Sequence, residues 1–248
     1  MSNTFQPTSL HQTVREHYAE HARQATSCCG PNDCDCGSLY PAELTVSLPA
    51  DITNFTLGCG DAISRAALQP GETVVDLGSG GGLDCFLAAR AVGETGRVLG
   101  VDMTPDMLAR ARASAERLGV RNVEFREGFI EHLPLADGAA DVIISNCVIN
   151  LSPDKPQVFR EMYRALRPGG RLAISDVIVE GGLPEAVQKN ADAWCDCAAG
   201  GLSSAEWRDG LAALGFTNTR VDPKGEFGGE LVAGAQYSAI ITARKPLG

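Results

Sequence analysis

Histidine is scarce in this 248-residue chain, with four, at positions 11, 17, 21 and 132. Basic residues are also short: 21 Lys and Arg face 31 Asp and Glu, a formal net charge of −10. No basic cluster exists to meet phosphates, which argues against a nucleic acid or an anionic membrane as partner. No apolar run approaches the roughly 18 residues that a membrane span needs. The segment from Met1 to Tyr18 is polar and lacks the apolar centre of a signal peptide. No internal repeat and no low-complexity tract interrupts the chain. Sulfur, by contrast, is plentiful: there are nine cysteines. Without an export signal they imply a reducing, cytoplasmic setting, where thiols bind metals or do chemistry rather than form permanent staples. Nothing in the pattern demands an oligomer, so a monomer is expected.

The hydrophobic share, 44%, supports a sizeable core. A polar stretch, Thr13 to Arg23, predicts a short helix, followed by a loop rich in Cys, Gly, Pro, Asn and Asp over 27–38. A short helix is expected around Asp61–Ala67. From Thr73 onward, β-rich runs alternate with helical patterns: strands at 73–77, 98–102, 122–126, 141–147 and 171–179. Helices are expected over 84–91, with Asp84 as candidate N-cap, over a segment opened by Thr104-Pro105 and stopped by Gly119, and over 155–166. Such alternation means an α/β fold with a parallel, doubly wound sheet, all of whose strands end on one edge. Past Val179 the rhythm changes. Leu183–Cys197 and Ser203–Leu214 are expected as helices, the second opened by the capping-box pair Ser203 and Glu206. Two β-rich runs, 217–221 and 237–243, close a small α+β region. Residues 223–234 suggest a mobile loop without an assigned task.

The string Asp76-Leu77-Gly78-Ser79-Gly80-Gly81-Gly82-Leu83-Asp84 follows a strand and opens a helix. Its glycines permit a tight turn and a close backbone approach to a ligand. A dinucleotide fingerprint would want G-x-G-x-x-G; here Leu83 breaks that spacing and an acid, Asp76, leads the run. The pattern is similar to the Asp-x-Gly-x-Gly-x-Gly motif of class I S-adenosylmethionine methyltransferases, which implies a Rossmann-like sheet and that methyl donor. The difference has a physical reason. A dinucleotide needs a helix N-terminus aimed at pyrophosphate, whereas this donor offers an ammonium that Asp76 can receive. Asp102 ends the next strand, where an acid holds ribose hydroxyls, and Met103 beside it can line the adenine. Gly128, Phe129 and Ile130 follow the third strand, where related enzymes contact the adenine. Asn146 completes the donor-contact set, with Gly78, Ser79, Gly80 and Gly82.

Methyl transfer to O, N or C needs a base or an oriented nucleophile at the pocket mouth, and none of the four His is expected there. The pocket offers sulfur instead. Cys59 lies in Gly58-Cys59-Gly60, Cys147 ends the fourth strand, and Cys197 lies in Cys195-Asp196-Cys197-Ala198-Ala199-Gly200-Gly201. Together with Asp84-Cys85, with 100–105 (Gly-Val-Asp-Met-Thr-Pro) and with 145–151 (Ser-Asn-Cys-Val-Ile-Asn-Leu), these stretches resemble bacterial arsenite methyltransferases over about residues 55–202. The glycine motif says little alone; the Ser-Asn-Cys string with the two other cysteines is far more specific. The resemblance implies methyl transfer from S-adenosylmethionine to trivalent arsenic presented as glutathione or other thiol complexes, giving methylated arsenicals. It gives Cys147 and Cys197 as the arsenic pair, Cys59 as third ligand or resolving thiol, and thioredoxin or glutathione as reductant. It implies an N-terminal Cys-rich segment (1–57), a donor-binding methyltransferase domain (58–180) and a C-terminal arsenic-binding or accessory region (181–248). Soft thiolates suit soft trivalent arsenic, whose lone pair carries no proton, so the shortage of His becomes expected.

Blander readings stand beside these. A lone cysteine is usually a small buried hydrophobe, and Cys85, inside a helix, fits that description. Cys195 competes with Cys197 for the ligand role. Cys28, Cys29, Cys34 and Cys36 lack the spacing of a zinc knuckle, and could load arsenic, exchange disulfides or form a tail. His17 and His21, four apart, suit a metal less well than a solvated helix face. The rival functions are a small-molecule C- or O-methyltransferase with incidental cysteines, and a non-catalytic soft-metal binder.

Overall fold

The computed structural model describes residues 8–24, 40–55, 58–188, 190, 194–195, 199–226 and 236–248. Period-two alternation in the central strands sets up the architecture. In β1 (Thr73–Leu77), Val74 faces one apolar cluster and Val75 the other; in β4 (Ala140–Asn146), Val142 and Ile144 face one and Ile143 the other. Strands buried on both faces must be apolar throughout, and parallel strands joined by helical crossovers are buried in that way.

Along the chain lie α1 (Ser9–Gln24), the short turns α2 (Ala42–Thr45) and α3 (Ala50–Thr53), α4 (Ala62–Ala66), β1, α5 (Leu83–Val92), β2 (Arg97–Asp102), α6 (Pro105–Leu118), β3 (Val123–Glu127), β4, a 3₁₀ turn at Ile149–Leu151, α7 (Lys155–Ala165) and β5 (Leu166–Val179). They are followed by α8 (Glu185–Gln188), α9 (Ser204–Ala213), β6 (Thr217–Glu226) and β7 (Gln236–Arg244). The seven strands form one sheet in the order β3-β2-β1-β4-β5-β7-β6. The first five run parallel, and β7 is antiparallel to both β5 and β6. Strand order reverses between β1 and β4, and a crevice opens at such a switch point.

Local chemistry explains the boundaries. Asp61 caps α4 through the Ser64 N–H at 2.9 Å. Pro105 occupies the first turn of α6, and Gly119 ends it in the left-handed region at φ 67°. Ser203 and Glu206 form the expected capping box on α9. Asp84 is not the N-cap of α5. The helix begins one residue earlier, behind Gly82 at φ 91°, and the Asp84 carboxylate turns inward to the Tyr40 hydroxyl at 2.7 Å. The expected helix over 183–197 is not continuous. Leu183, Pro184 and Asn190 lie outside helix, and α8 is short. Cys28, Cys29, Cys34, Cys36 and Cys197, and most of 223–234, lie outside the described residues.

Candidate functional site

An open cleft with about 960 Å³ of unfilled space lies at the carboxyl ends of β1, β2 and β4. Its floor is the glycine turn after β1. Gly78 (φ 69°) cannot carry a side chain, because a Cβ there would come within 2.3 Å of Val148. The Gly78 and Ser79 N–H groups donate to the Val101 carbonyl at 2.8 and 3.1 Å, which locks the turn onto β2. Ser79 Oγ is buried with no hydrogen-bond partner among the described residues, a donor and acceptor waiting for a ligand.

Three buried acids stand beneath the turn. Burial pushes the Asp76 carboxyl well above the carboxylate range and Asp84 reinforces it, while the Cys85 thiol donates to Asp76 at 3.2 Å. Burial raises Asp84 to about 6, against the pull of hydrogen bonds from Tyr40 and Asn146. Burial also raises Asp102, although its carboxylate accepts the Gly80 and Thr104 N–H groups, each at 2.8 Å. Among the described residues, none of the three has an ion-pair partner. A cation in the cleft would stabilise all three charges, which suits a sulfonium and ammonium donor and not an anionic dinucleotide.

Of the sequence-expected donor residues, Asp76, Gly78, Ser79, Gly80, Asp102, Met103, Gly128, Phe129, Ile130 and Asn146 all line this cleft. Gly82 does not; it packs behind the turn, where a Cβ would meet Phe125 and Phe86 at 2.9 and 3.0 Å. One expectation fails outright. His11 reaches the cleft, since α1 folds across the strand ends and places His11, Val14 and Tyr18 in its wall. His11 Nε2 lies 3.0 Å from Glu131, and Ser152 also donates to that carboxylate. Burial alone would raise Glu131, and these hydrogen bonds more than reverse it. The partner is 120 residues away, so no local pattern announces it. His17 and His21 pack ring to ring at 4.7 Å on α1, half-buried.

Sulfur collects at the adjoining edge. Cys147 follows β4 in the left-handed region (φ 57°), a conformation uncommon for non-glycine residues. Its N–H is held by the Ser175 carbonyl at 2.8 Å. Cys147 lines the cleft and is disulfide-bonded to Cys59, with Cα atoms 5.9 Å apart. Cys195 packs in the same small apolar cluster as Cys147, with Cys59 and Met103 against it, and its carbonyl accepts from Tyr18 at 3.2 Å. Gly200 makes room nearby, since a Cβ there would overlap the Asn150 carbonyl, and the Lys155 ammonium stands 4.8 Å from the centre of the Trp194 ring. Cys85 sits apart, in α5 beneath Asp76, where burial and the Asp76 charge push its thiol well up.

Asp176 was not anticipated from sequence. It is fully buried after Ser175, with an oxygen within 4.8 Å of the sulfurs of Cys59 and Cys147. Burial raises its pKa to about 7, opposed by the Val177 and Asn150 N–H groups and by Lys155. Its only sequence signal was its place on the strand that follows Cys147 in the chain.

Fold and cleft together define a class I S-adenosylmethionine-dependent methyltransferase, and a family model described as a methyltransferase domain matches residues 68–215. Arsenite methyltransferase of Halobacterium salinarum is 42% identical over 97% of this chain and 68% of that protein. Arsenite methyltransferase of Aquipseudomonas alcaligenes is 41% identical over 86% of this chain and 63% of that protein. The crystal structure of CrArsM, an arsenic (III) S-adenosylmethionine methyltransferase from Chlamydomonas reinhardtii, superposes with a TM-score of 0.75 at 37% identity, covering 84% of this chain and 73% of that one. The chain belongs to the arsenite methyltransferase family. It spans about two thirds of the length of the two relatives it matches over most of its own.

Proposed function

We propose that the chain methylates trivalent arsenic held by the thiolates of Cys59, Cys147 and Cys197. The observation that carries this reading is the sulfur pair Cys59–Cys147, set by a constrained backbone at the wall of the donor cleft. Thiolates are soft ligands that match soft arsenic, and three of them leave its lone pair exposed. S-adenosylmethionine, when bound, supplies an electrophilic methyl on a sulfonium. Around it, Asp76 would receive the ammonium, Asp102 the ribose hydroxyls, and Met103, Gly128, Phe129 and Ile130 the adenine side, with Gly78, Ser79, Gly80 and Gly82 as the turn beneath. The acceptor thiols must bring arsenic within about 3–3.5 Å of that methyl in a dry site, and α1, in the wall of the cleft, would help to cover it. No general base is required at arsenic.

Transfer of a methyl cation to the lone pair raises arsenic's formal oxidation state by two. Two thiolates can return the two electrons, and their loss joins the sulfurs as a disulfide. Cys59 and Cys147 are placed to do so, and an external dithiol or glutathione then reduces the bond, being oxidised in turn. Arsenite or methylarsenite would arrive as glutathione or other thiol complexes, with thioredoxin or glutathione as the reductant, and the protein would work as a cytoplasmic monomer. On this reading residues 58–180 bind the donor, 181–248 help hold arsenic, and 1–57 carry the Cys-rich segment.

The test is a turnover assay of purified, reduced protein with donor, arsenite and thiol, with arsenic species separated by chromatography. Methylated arsenic is expected from the native chain, and none from Cys147→Ser or Cys197→Ser while donor binding persists. Near-normal turnover in both variants would favour a methyltransferase with incidental cysteines. Arsenite binding without methyl transfer would favour a soft-metal binder.

A further inference from the structure

Resting on the arsenic reading above, we propose that Asn146 is the positioning residue for the Cys59 thiol and not a contact for the methyl donor. Its carboxamide is committed to the Gly58-Cys59-Gly60 loop. Oδ1 accepts the Cys59 N–H at 2.9 Å and the Gly60 N–H at 3.3 Å, while Nδ2 donates to the Gly60 carbonyl at 2.6 Å. Nδ2 also reaches the Tyr40 hydroxyl at 3.0 Å and an Asp84 oxygen at 3.3 Å. Two N–H donors and one acceptor oxygen are thereby fully used, leaving nothing to offer a ligand.

The loop is shaped around this grip. A Cβ on Gly58 would lie 2.4 Å from the Asn146 carboxamide carbon, and one on Gly60 would lie 2.3 Å from Ser175 Oγ. On the opposite side Ser175 Oγ stands 3.6 Å from Cys59 Sγ. Cys59 is therefore fixed between Asn146 at the end of β4 and Ser175 on β5. Asn146 holds the backbone of one thiol, and the next residue, Cys147, carries the other. The sequence Asn-Cys thus sets both sulfurs from a single strand end, although they are 88 residues apart in the chain. Through Tyr40, whose hydroxyl donates to Asp84 at 2.7 Å, the same carboxamide is tied to the acidic floor of the donor cleft.

The experiment compares the native chain, Asn146→Ala, Gly58→Ala, Cys59→Ser, and Asn146→Ala combined with either Gly58→Ala or Cys59→Ser. Three quantities are read. These are the rate at which diamide forms the Cys59–Cys147 disulfide, measured by differential alkylation and peptide mapping; turnover at saturating donor; and calorimetric S-adenosylmethionine affinity. Misplacement of a reacting group by about 1 Å costs on the order of a hundredfold. Asn146→Ala is accordingly expected to slow disulfide formation and turnover at least about tenfold, with donor affinity held within about threefold. Gly58→Ala should reproduce the loss by pressing on Asn146, and the double variant should be no worse than either single, because the clash and the grip are one interaction. Asn146→Ala should add nothing to Cys59→Ser in turnover.

The proposal is overturned if Asn146→Ala weakens donor binding while turnover recovers at saturating donor and disulfide formation is unchanged. It is also overturned if its loss adds in full to that of Cys59→Ser. Should Asn146→Ala fail to fold, Gly58→Ala alone decides by the same readouts. Absence of arsenic turnover in the native chain would end the arsenic reading, while the disulfide rate would still decide the role of Asn146.

Discussion

Cys147 is held at φ 57° by the Ser175 carbonyl on one side and by Asn146 fastened to the Cys59 loop on the other. A strained conformation at a strand end persists only where its surroundings over-determine it, and here they set Cys147 in the wall of the cleft, bonded to Cys59. Asp176 is the costlier neighbour. Its folded-state value, about 7, lies above the ordinary 3.8, so the native state binds an extra proton between those limits and stability falls as pH rises through them. In Asp176→Asn this dependence disappears. Denaturant titrations from about pH 4 to about pH 7 should show the variant gaining on the native chain by up to roughly 1.4 kcal/mol per pH unit. A constant gap would show that Asp176 titrates normally. Asp76, Asp102 and the glycine turn were legible in the sequence because their spacing encodes a strand–turn–helix unit and a second strand end. The grip of Asn146 on residues 59 and 60, the approach of Asp176 to two sulfurs, and the reach of His11 to Glu131 were not, since each is a contact between distant segments.

The helix α1 is the least expected element in its position, although its helical character was readable from residues 13–23. Its apolar and aromatic side chains, Val14 and Tyr18, face the cleft and the Cys195 segment, and His11 latches to Glu131 at 3.0 Å. Truncating His11 leaves a buried carboxylate without that partner, a loss of about 1–3 kcal/mol. His11→Ala should thus speed donor dissociation in stopped-flow measurements; an unchanged off-rate would mean that α1 does not roof the bound donor. The capping box of α9 is simpler and was read from sequence alone, being contained within four residues. Ser203→Ala should cost about 1 kcal/mol, which lowers Tm by roughly 2–4 °C in a chain of this size. Differential scanning calorimetry checks this, with no change in donor affinity expected. The start of α5 went the other way: Asp84 has the chemistry of an N-cap, but Tyr40, 44 residues earlier in the chain, draws it into the floor of the site.

For the whole molecule, the sheet order explains why one edge carries everything. Parallel β1 to β5 put their carboxyl ends on one side, and the reversal between β1 and β4 opens the crevice in which the acids and the thiols meet. The α/β alternation made that much plain from sequence. It left open where the last two β-rich runs would go, because pairing partners are not encoded locally; they extend the same sheet as β7 and β6 beside β5. Among the described residues, no helix is long and apolar enough to cross a membrane. The central claim is that thiols from distant parts of this one sheet edge capture arsenic beside the donor. Arsenic K-edge absorption on the reduced protein with one equivalent of arsenite addresses it directly. The account predicts a first shell of three sulfurs and no oxygen, with at least one sulfur replaced in Cys147→Ser. An oxygen-dominated shell, or a spectrum indifferent to that substitution, would contradict it.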